Sequence, residues 1–228
     1  MHIRRLPALA GALAAGLIAA AGPASAVAAG PAVSVRVEGL KRTLLPSTTV
    51  HGGTGSITKG GTPPGVCPAA SGAGALDAAT RHKWNGTYSS GLGIEVTSIL
   101  GETHRYSAKG YYWGIWVDNR FAQAGICDLK LHKGDQLLFA PYPGTGTTAP
   151  IVISAPRHAT AGHPFRVKAT SYGTGKRAKP LAGVIVPGGG VTNKQGITTF
   201  TPHRAGKLTL TAVRVGYIRG EVTVQVAR

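Results

Sequence analysis

Acidic residues are scarce in this chain. Its 228 residues include 8 Asp and Glu against 25 Lys and Arg, a formal net charge of +17 at pH 7. Such a charge favours polyanions, including anionic cell-wall polymers, acidic lipid surfaces and nucleic acid. The basic residues are scattered rather than collected in blocks, so we expect no specific nucleic-acid partner. A soluble basic surface without a dedicated polyanion site is the alternative interpretation.

The scarcity of carboxylates also argues against an enzyme. Asp118, Asp128 and Asp135 form the closest cluster in the sequence. Asp118 lies where a strand meets a turn and Asp135 follows Gly134, so both are typical of turn residues that cap local backbone. No spacing among them supports paired acid and base roles. The eight histidines show no HExxH, HxH or H-x3–5-H pattern, so a zinc site is not indicated. We therefore expect no catalytic residues, no metal and no cofactor.

Long apolar runs are confined to the N-terminus. MHIRR precedes the uncharged run LPALAGALAAGLIAAAG, and Ala24-Ser25-Ala26 then supplies a small-residue cleavage site, with Val27-Ala28-Ala29 as a second option. This pattern predicts a secretory signal peptide at residues 1–29, and a membrane anchor is the alternative. Because no second run of that length follows, we expect a secreted, extracellular protein with no membrane association after cleavage. Non-covalent attachment to the cell wall is compatible with this expectation.

Cysteine is also rare, with Cys67 and Cys127 as the pair. An exported protein meets an oxidising compartment, where an even pair of cysteines usually forms one disulfide. Two free thiols are the alternative. A metal site would need more ligands at shorter spacing.

The hydrophobic pattern divides the remaining chain into an α+β part and an all-β part. Alternation at 33–37 predicts a strand, and Ala and Leu at 75–83 predict a helix with Asp77 in its first turn and basic residues in its last. Asn85-Gly86-Thr87 is interpreted as a turn. Further strands are predicted at 43–50, 93–100, 111–119 and 135–141. A Pro/Gly/Thr linker at 141–150 leads to segments that are all strand-like, a pattern typical of a β-sandwich.

Two resemblances sharpen this division. Residues 33–142 resemble the domain family related to the C-terminal domain of transcobalamin and intrinsic factor. The matching segments are VSVRVEG, ALDAAT, GIEVTSILGE, YYWGIWVDNRFAQAGI and LHKGDQLLFAPY. The resemblance implies a β-grasp-like α+β fold. In vertebrate carriers the related domain contributes to cobalamin binding together with a large helical domain.

Residues 150–228 resemble a bacterial immunoglobulin-like domain. The matching segments are ATAGHPFRVKAT, LAGVIVPGGGVTNKQGITTFTP and AGKLTLTAVRVGYIRGEVTVQV. The resemblance implies an adhesive or spacer module. The expected fold is therefore mostly β, with a small β-grasp-like α+β domain followed by an immunoglobulin-like β-sandwich.

The best candidate for ligand binding is the aromatic segment 111–117. If it forms a strand, Tyr112, Gly114 and Trp116 lie on one face and Trp113 and Ile115 on the other. The first face offers an aromatic shelf, with Gly114 leaving room for a flat ligand or sugar ring. In the alternative interpretation both faces are buried, one under the helix and one under the long loop at 51–66.

These features predict a secreted, non-catalytic binding or cell-surface interaction protein of bacterial type. An extracellular carrier of a small, corrinoid-like molecule is the alternative function. The expected partners are a cell-wall polyanion or a small flat ligand. The oligomeric state stays open.

Overall fold

The computed structural model describes residues 30–106, 110–144, 148–173 and 175–228. The predicted signal peptide at 1–29 lies outside these residues, as do residues 145–147 of the predicted linker. Strands make up 48% and helix 6% of the structure, so the predicted mostly-β class is confirmed. Across the described ranges, no helix is long and apolar enough to cross a lipid bilayer.

The first half of the chain is built around a mixed five-stranded sheet. Its elements are β1 (Ala32–Glu38), β2 (Thr43–His51), a 3-10 turn (Lys59–Gly61), α1 (Gly72–Ala79), β3 (Trp84–Ser89), β4 (Gly93–Ile99), β5 (Glu102–Thr103), β6 (Tyr112–Val117), β7 (Arg120–Phe121) and β8 (Gln136–Tyr142). The strand order is β2-β1-β8-β6-β7, with β1 and β8 parallel and the other neighbours antiparallel. A central parallel pair, β1 and β8, with one antiparallel neighbour on each side, β2 and β6, agrees with the expected β-grasp-like arrangement. Strand β1 forms because its alternating Val33, Val35 and Val37 enter the core.

Helix α1 begins at Gly72 and ends at Ala79, whereas the sequence predicts a helix at 75–83. Ser71 caps it, since its Oγ accepts a hydrogen bond from the Ala73 N–H. It ends at Ala79 because Arg81 and His82 take positive φ angles of 51° and 64°. The expectation of an acid in the first turn and basic residues in the last is therefore wrong.

The predicted turn at Asn85-Gly86-Thr87 is also wrong, because these residues lie inside β3. Strand β3 pairs antiparallel with β4, which pairs with the short β5. A Cβ at Gly86 would lie 2.4 Å from Cγ2 of Ile94. Glycine is thus needed here for the close approach of two strands rather than for a turn.

The second half consists of strands in two layers. They are β9 (Ala149–Pro150), β10 (Val152–Ser154), β11 (His158–Thr160), β12 (Phe165–Ser171), β13 (Lys179–Pro180), β14 (Ile185–Val186), β15 (Gly190–Val191), β16 (Ile197–Phe200), β17 (Gly206–Ala212), β18 (Tyr217–Ile218) and β19 (Gly220–Ala227). One sheet joins β10, β12, β13 and β16, and another joins β11, β19 and β17. Val167 and Ala169 of the first sheet share one core with Leu210 and Val224 of the second.

Each half has its own core, and a third cluster joins them. This cluster contains Trp116, Leu138 and Ala140 from the first half and Ile218 from the second. All four side chains are buried. Strands β6, β8 and β18 supply these four residues, and Tyr142, at the start of the predicted linker, packs against the cluster.

Candidate functional site

The aromatic residues of β6 face those of its two neighbours in the sheet. Tyr112 pairs in register with Tyr142 of β8, and Trp116 pairs with Phe121 of β7. Register partners point to the same side of a sheet, so all four rings share one face. Ring centroids lie 5.7 Å apart for Tyr106 and Tyr112, 5.3 Å for Tyr112 and Tyr142, and 5.0 Å for Tyr142 and Phe121. We call this row, Tyr106–Tyr112–Tyr142–Phe121, the aromatic strip.

The position of Gly114 suggests room for a ligand, but the structure places a neighbouring side chain there. A Cβ there would lie 2.6 Å from Cη2 of Trp116 and 2.9 Å from Cβ of Tyr142. The space beside Gly114 is therefore filled by the indole of Trp116 from the same strand. Trp116 is only 2% exposed and packs against Ile218.

Tyr112, Gly114 and Trp116 do share one strand face, as alternation requires. Of the three, Tyr112 keeps partial exposure, whereas Gly114 and Trp116 are buried. Their role in ligand binding remains a prediction. Burial raises the pKa of Tyr112, and Tyr142 and Tyr106 raise it further, so its phenol stays protonated and can donate a hydrogen bond.

The opposite face of β6 enters the core of the first half. Trp113 lies there, with its ring 5.0 Å from the ring of His104. Trp113 and Trp116, which lie on opposite faces of the strand, are both buried, as in the alternative interpretation. The cover over Trp116, however, includes Ile218 of the second half, which the sequence interpretation did not consider.

Each exposed end of the aromatic strip has an arginine beside it in sequence. Tyr106 is 73% exposed and follows Arg105, and Phe121 is 40% exposed and follows Arg120. The Arg120 guanidinium lies 4.7 Å from the ring centroid of Tyr172. It also donates a 2.7 Å hydrogen bond to a backbone carbonyl in the second half, that of Lys176. These contacts hold Arg120 against the second half, while the register directs the side chains of Arg120 and Phe121 to opposite faces of β7.

A second feature is a cleft of about 180 Å³ between the two halves, with a buried ion cluster beside it. Glu38 is 2% exposed, and its carboxylate accepts 2.8 Å bonds from Arg36 Nη1 and Arg219 Nε. Arg219 also donates to the carbonyls of Gly39 and Leu40. Burial lowers the pKa of Arg36, and the neighbouring Glu38 and Glu221 oppose this shift. The cluster joins the halves as a clamp.

Most carboxylates of the chain act as internal acceptors for backbone or indole N–H groups. The pairs are Asp77 with Trp84 Nε1, Glu95 with Tyr106 N, Glu102 with Leu40 N, Asp118 with Gln136 N, Asp135 with His132 N, and Glu221 with Ser47 N. Asp135 thus bonds local backbone, as predicted for a turn residue, whereas Asp118 accepts a hydrogen bond from Gln136 N–H of β8, 18 residues further along the chain. In the described ranges, Arg36, Lys59 and Arg219 are the Lys and Arg residues that pair with carboxylates. The remaining described Lys and Arg residues form no ion pair.

The predicted disulfide between Cys67 and Cys127 is confirmed. It ties the loop before α1 to the segment that accepts the first helical N–H groups, since Ala73 N donates to Ile126 O and Gly72 N donates to Leu129 O. Within the part of the chain that the structure describes, no group of three or more His, Cys, Asp and Glu is arranged to hold a metal ion.

The fold and the site together define a two-part, mostly β protein with an aromatic face and a basic surface. Residues 73–140 match a family described as "Domain of unknown function (DUF4430)". The match runs from α1 to β8. This family is transcobalamin-like, which agrees loosely with the resemblance of residues 33–142. The resemblance of residues 150–228 to an immunoglobulin-like domain has no counterpart in this match and remains a prediction. No curated protein matches the chain.

Proposed function

We propose that this chain is an exported, non-catalytic binding protein whose partner is an anionic polymer of the bacterial cell surface. The observation that carries the proposal is the internal use of its carboxylates. Most acidic groups are engaged by backbone or indole N–H groups, whereas most Lys and Arg side chains have no carboxylate partner among the described residues. The exterior is therefore basic and attracts polyanions.

The second half of the chain shows how basic side chains come to lie on the exterior. Val167 and Ala169 of β12 point into the core, so Arg166 and Lys168 project from the outer face of the sheet. Their register partners on β16 and β10 include Thr199 and Ser154, which are uncharged. A basic and polar sheet face would attract an anionic polymer by charge, which suits a basic spacer.

The proposal assigns different roles to the two halves. Residues 33–142 would form a transcobalamin C-terminal-like domain that carries the binding surface. Residues 150–228 would form an immunoglobulin-like domain that acts as a basic spacer. Export is supported by the signal-peptide pattern at residues 1–29 and by the disulfide, which is typical of proteins outside the cytosol.

The test is binding of the full chain to purified bacterial cell wall, before and after chemical removal of the anionic polymers, with cyanocobalamin as a parallel ligand. We expect wall binding that weakens when the polymers are removed and when salt is raised. Equal binding to wall before and after removal of the anionic polymers would overturn the proposal that the partner is an anionic polymer. Binding to cyanocobalamin without wall binding would overturn the proposal in favour of a small-molecule carrier.

A further inference from the structure

We propose that a groove at the junction of the two halves binds a polymer of sugar or polyol units, without bases, joined by phosphodiester groups. This inference rests on the proposed binding function and names its ligand class and its site. The groove consists of the cleft of about 180 Å³ and a second cavity of about 400 Å³, which share Tyr217 as a lining residue. We call it the junction groove. Its other lining residues of interest are Tyr111 and Arg219 in the cleft and Tyr172 and Lys179 in the second cavity.

The shape of the junction groove favours a linear polymer over a single small molecule. Leu40 and Tyr111 of the first half line the cleft and are 50% and 43% exposed, so the cleft opens to solvent. Because Tyr217 lines both cavities, a chain that passes its side chain can occupy the two in succession. The buried ion pair of Glu38 and Arg219 lies in the wall of the cleft and holds the halves together, so the groove is formed before a ligand binds.

Two arginine side chains stack on tyrosines that line the junction groove. The guanidinium of Arg120, from the first half, lies 4.7 Å from the ring centroid of Tyr172, and that of Arg214 lies 5.1 Å from the ring centroid of Tyr217. A hydrogen bond to the carbonyl of Lys176 fixes Arg120 further. These contacts hold two positive charges beside the groove, where their field acts on an anion bound against either ring.

Carboxylates offset little of this charge. Among the described residues, Glu38 is the carboxylate that lines the groove, and it is already paired with Arg219. Residues 150–228 contain one acidic side chain, Glu221, which lines neither cavity. Lys179 lines the second cavity and forms no ion pair within the described ranges. The groove therefore attracts anions.

The donors that line the second cavity favour phosphate over carboxylate. Lys179 carries a compact ammonium group with three donors, and Tyr172 and Tyr217 carry phenol hydroxyls. Separate donors of this kind suit a tetrahedral phosphate, whereas a planar carboxylate pairs best with the fork of an arginine. The tyrosine rings can contact the C–H groups of the sugar or polyol units between the phosphates.

The stacked arginines also favour a polymer without bases over single-stranded nucleic acid. Proteins that bind single strands offer free aromatic faces on which bases stack. In the junction groove, Arg120 covers one face of Tyr172 and Arg214 covers one face of Tyr217. The rings are thus less available for bases, while the charges that engage phosphate remain.

The experiment measures by calorimetry the affinity of the full chain for poly(glycerol phosphate), monomeric glycerol phosphate, polygalacturonate, single-stranded DNA and neutral dextran. Lys179→Gln and Arg214→Gln each remove one charge at the groove, and Tyr111→Ala removes a ring from the cleft. Lys207→Gln is the control for loss of charge, because this exposed residue of β17 lines neither cavity. Leu92→Ala is the control for loss of exposed apolar surface, since Leu92 is 82% exposed and lies outside the groove.

We expect poly(glycerol phosphate) to bind more tightly than the other four probes, because it alone supplies phosphates on a base-free chain that reaches both cavities. Lys179→Gln and Tyr111→Ala should each weaken its binding about fivefold, the loss expected for one charge contact or one ring contact. Arg214→Gln should weaken binding as well, whereas both controls should not. Lys179→Arg should retain binding. Thermal melts of each variant, together with affinity per folded molecule, separate loss of the site from loss of the fold.

Three outcomes would overturn this inference. One is binding to polygalacturonate or single-stranded DNA that is as tight as binding to poly(glycerol phosphate). Another is equal affinity for monomer and polymer per phosphate group, which would contradict an extended groove. The third is unchanged affinity in Lys179→Gln and Tyr111→Ala while Arg166→Gln/Lys168→Gln abolishes binding, which would place the contact on the outer sheet face and preserve the proposed function. A wild type that binds neither wall nor any anionic polymer would overturn the proposed function as well.

Discussion

Glu38 and Arg219, separated by 181 residues in sequence, form a buried ion pair that joins the two halves of the chain. The Arg219 Nε lies 2.8 Å from Glu38 Oε2, and Arg36 approaches the other oxygen at the same distance. The pair lies beside the interdomain cleft. It follows that the relative position of the halves depends on a specific polar contact as well as on apolar burial.

Arg219→Gln should lower the free energy of unfolding of the full chain by about 2–3 kcal/mol. Breaking a buried ion pair typically costs about 3–5 kcal/mol, and Arg36 still partly compensates Glu38 here. Urea unfolding followed by tryptophan fluorescence measures the effect. Arg204→Gln is the control, because this exposed residue forms no ion pair within the described ranges. Equal losses of unfolding free energy in both variants would contradict a stabilising role for the ion pair of Glu38 and Arg219.

Fragments 33–143 and 150–228 should each fold on their own. Each contains a separate apolar core, and both cores are formed without residues of the other half. Fragment 33–143 should melt at a lower temperature than the same region in the full chain, with red-shifted tryptophan emission, because removal of Ile218 uncovers Trp116. Circular dichroism melts provide the measurement. A fragment without a cooperative transition would show that the shared cluster is needed for folding.

Gly114→Ala should destabilise the chain by about 1–3 kcal/mol, the range found for overpacked sites. The added Cβ would lie 2.6 Å from the Trp116 ring, which cannot shift without displacing Ile218 or Tyr142. Gly53→Ala is the matched control, because its Cβ would meet Ala69 Cβ at 3.4 Å, an ordinary contact. If the two variants have the same melting temperature, the space beside Gly114 is open and the Trp116 ring is not held there.

Replacing Cys67 and Cys127 with alanine should cost about 4 kcal/mol on the chain-entropy estimate for a cross-link between residues 60 apart in sequence. The helix start should loosen first, since the bridge holds the segment that accepts the Ala73 N–H. Hydrogen exchange at Ala73 and urea unfolding give the two readouts. Alkylation followed by intact-mass measurement should find no free thiol in the native wild type.

The stability of the fold should depend on Glu102 at acidic pH. Burial alone would raise its pKa, but hydrogen bonds from His104 and the Leu40 N–H hold the pKa of Glu102 below its ordinary value. Its contribution is therefore present above the unfolded-state pKa of about 4.3 and is lost as pH falls toward the folded pKa.

Urea unfolding between neutral and acidic pH checks this dependence. Glu102→Gln should flatten the fall in unfolding free energy below about pH 4.3 relative to the wild type. Asp128→Asn is the control, because the described residues give its exposed carboxylate no hydrogen bond. A wild-type profile that falls equally steeply in the Glu102→Gln variant would rule out this carboxylate as the cause.

Local sequence patterns predicted much of the secondary structure and one face of the candidate site. Alternation placed Val33, Val35 and Val37 in the core, and it placed Tyr112 and Trp116 on one side of β6. Local patterns failed at Gly86, because a glycine required by a neighbouring strand looks like a turn glycine in the sequence.

The sequence by itself determined the strand periodicity and the basic charge, because both follow from residue type and near-neighbour spacing. It also predicted the pairing of the two cysteines, because an even pair in an exported chain usually forms a disulfide. Only the tertiary structure decided that the ring of Trp116 fills the space beside Gly114, that Ile218 covers that ring, and that Arg219 reaches Glu38. These contacts join residues far apart in the chain, and their formation depends on how the two halves pack together. No local periodicity records which distant side chain will occupy a given face.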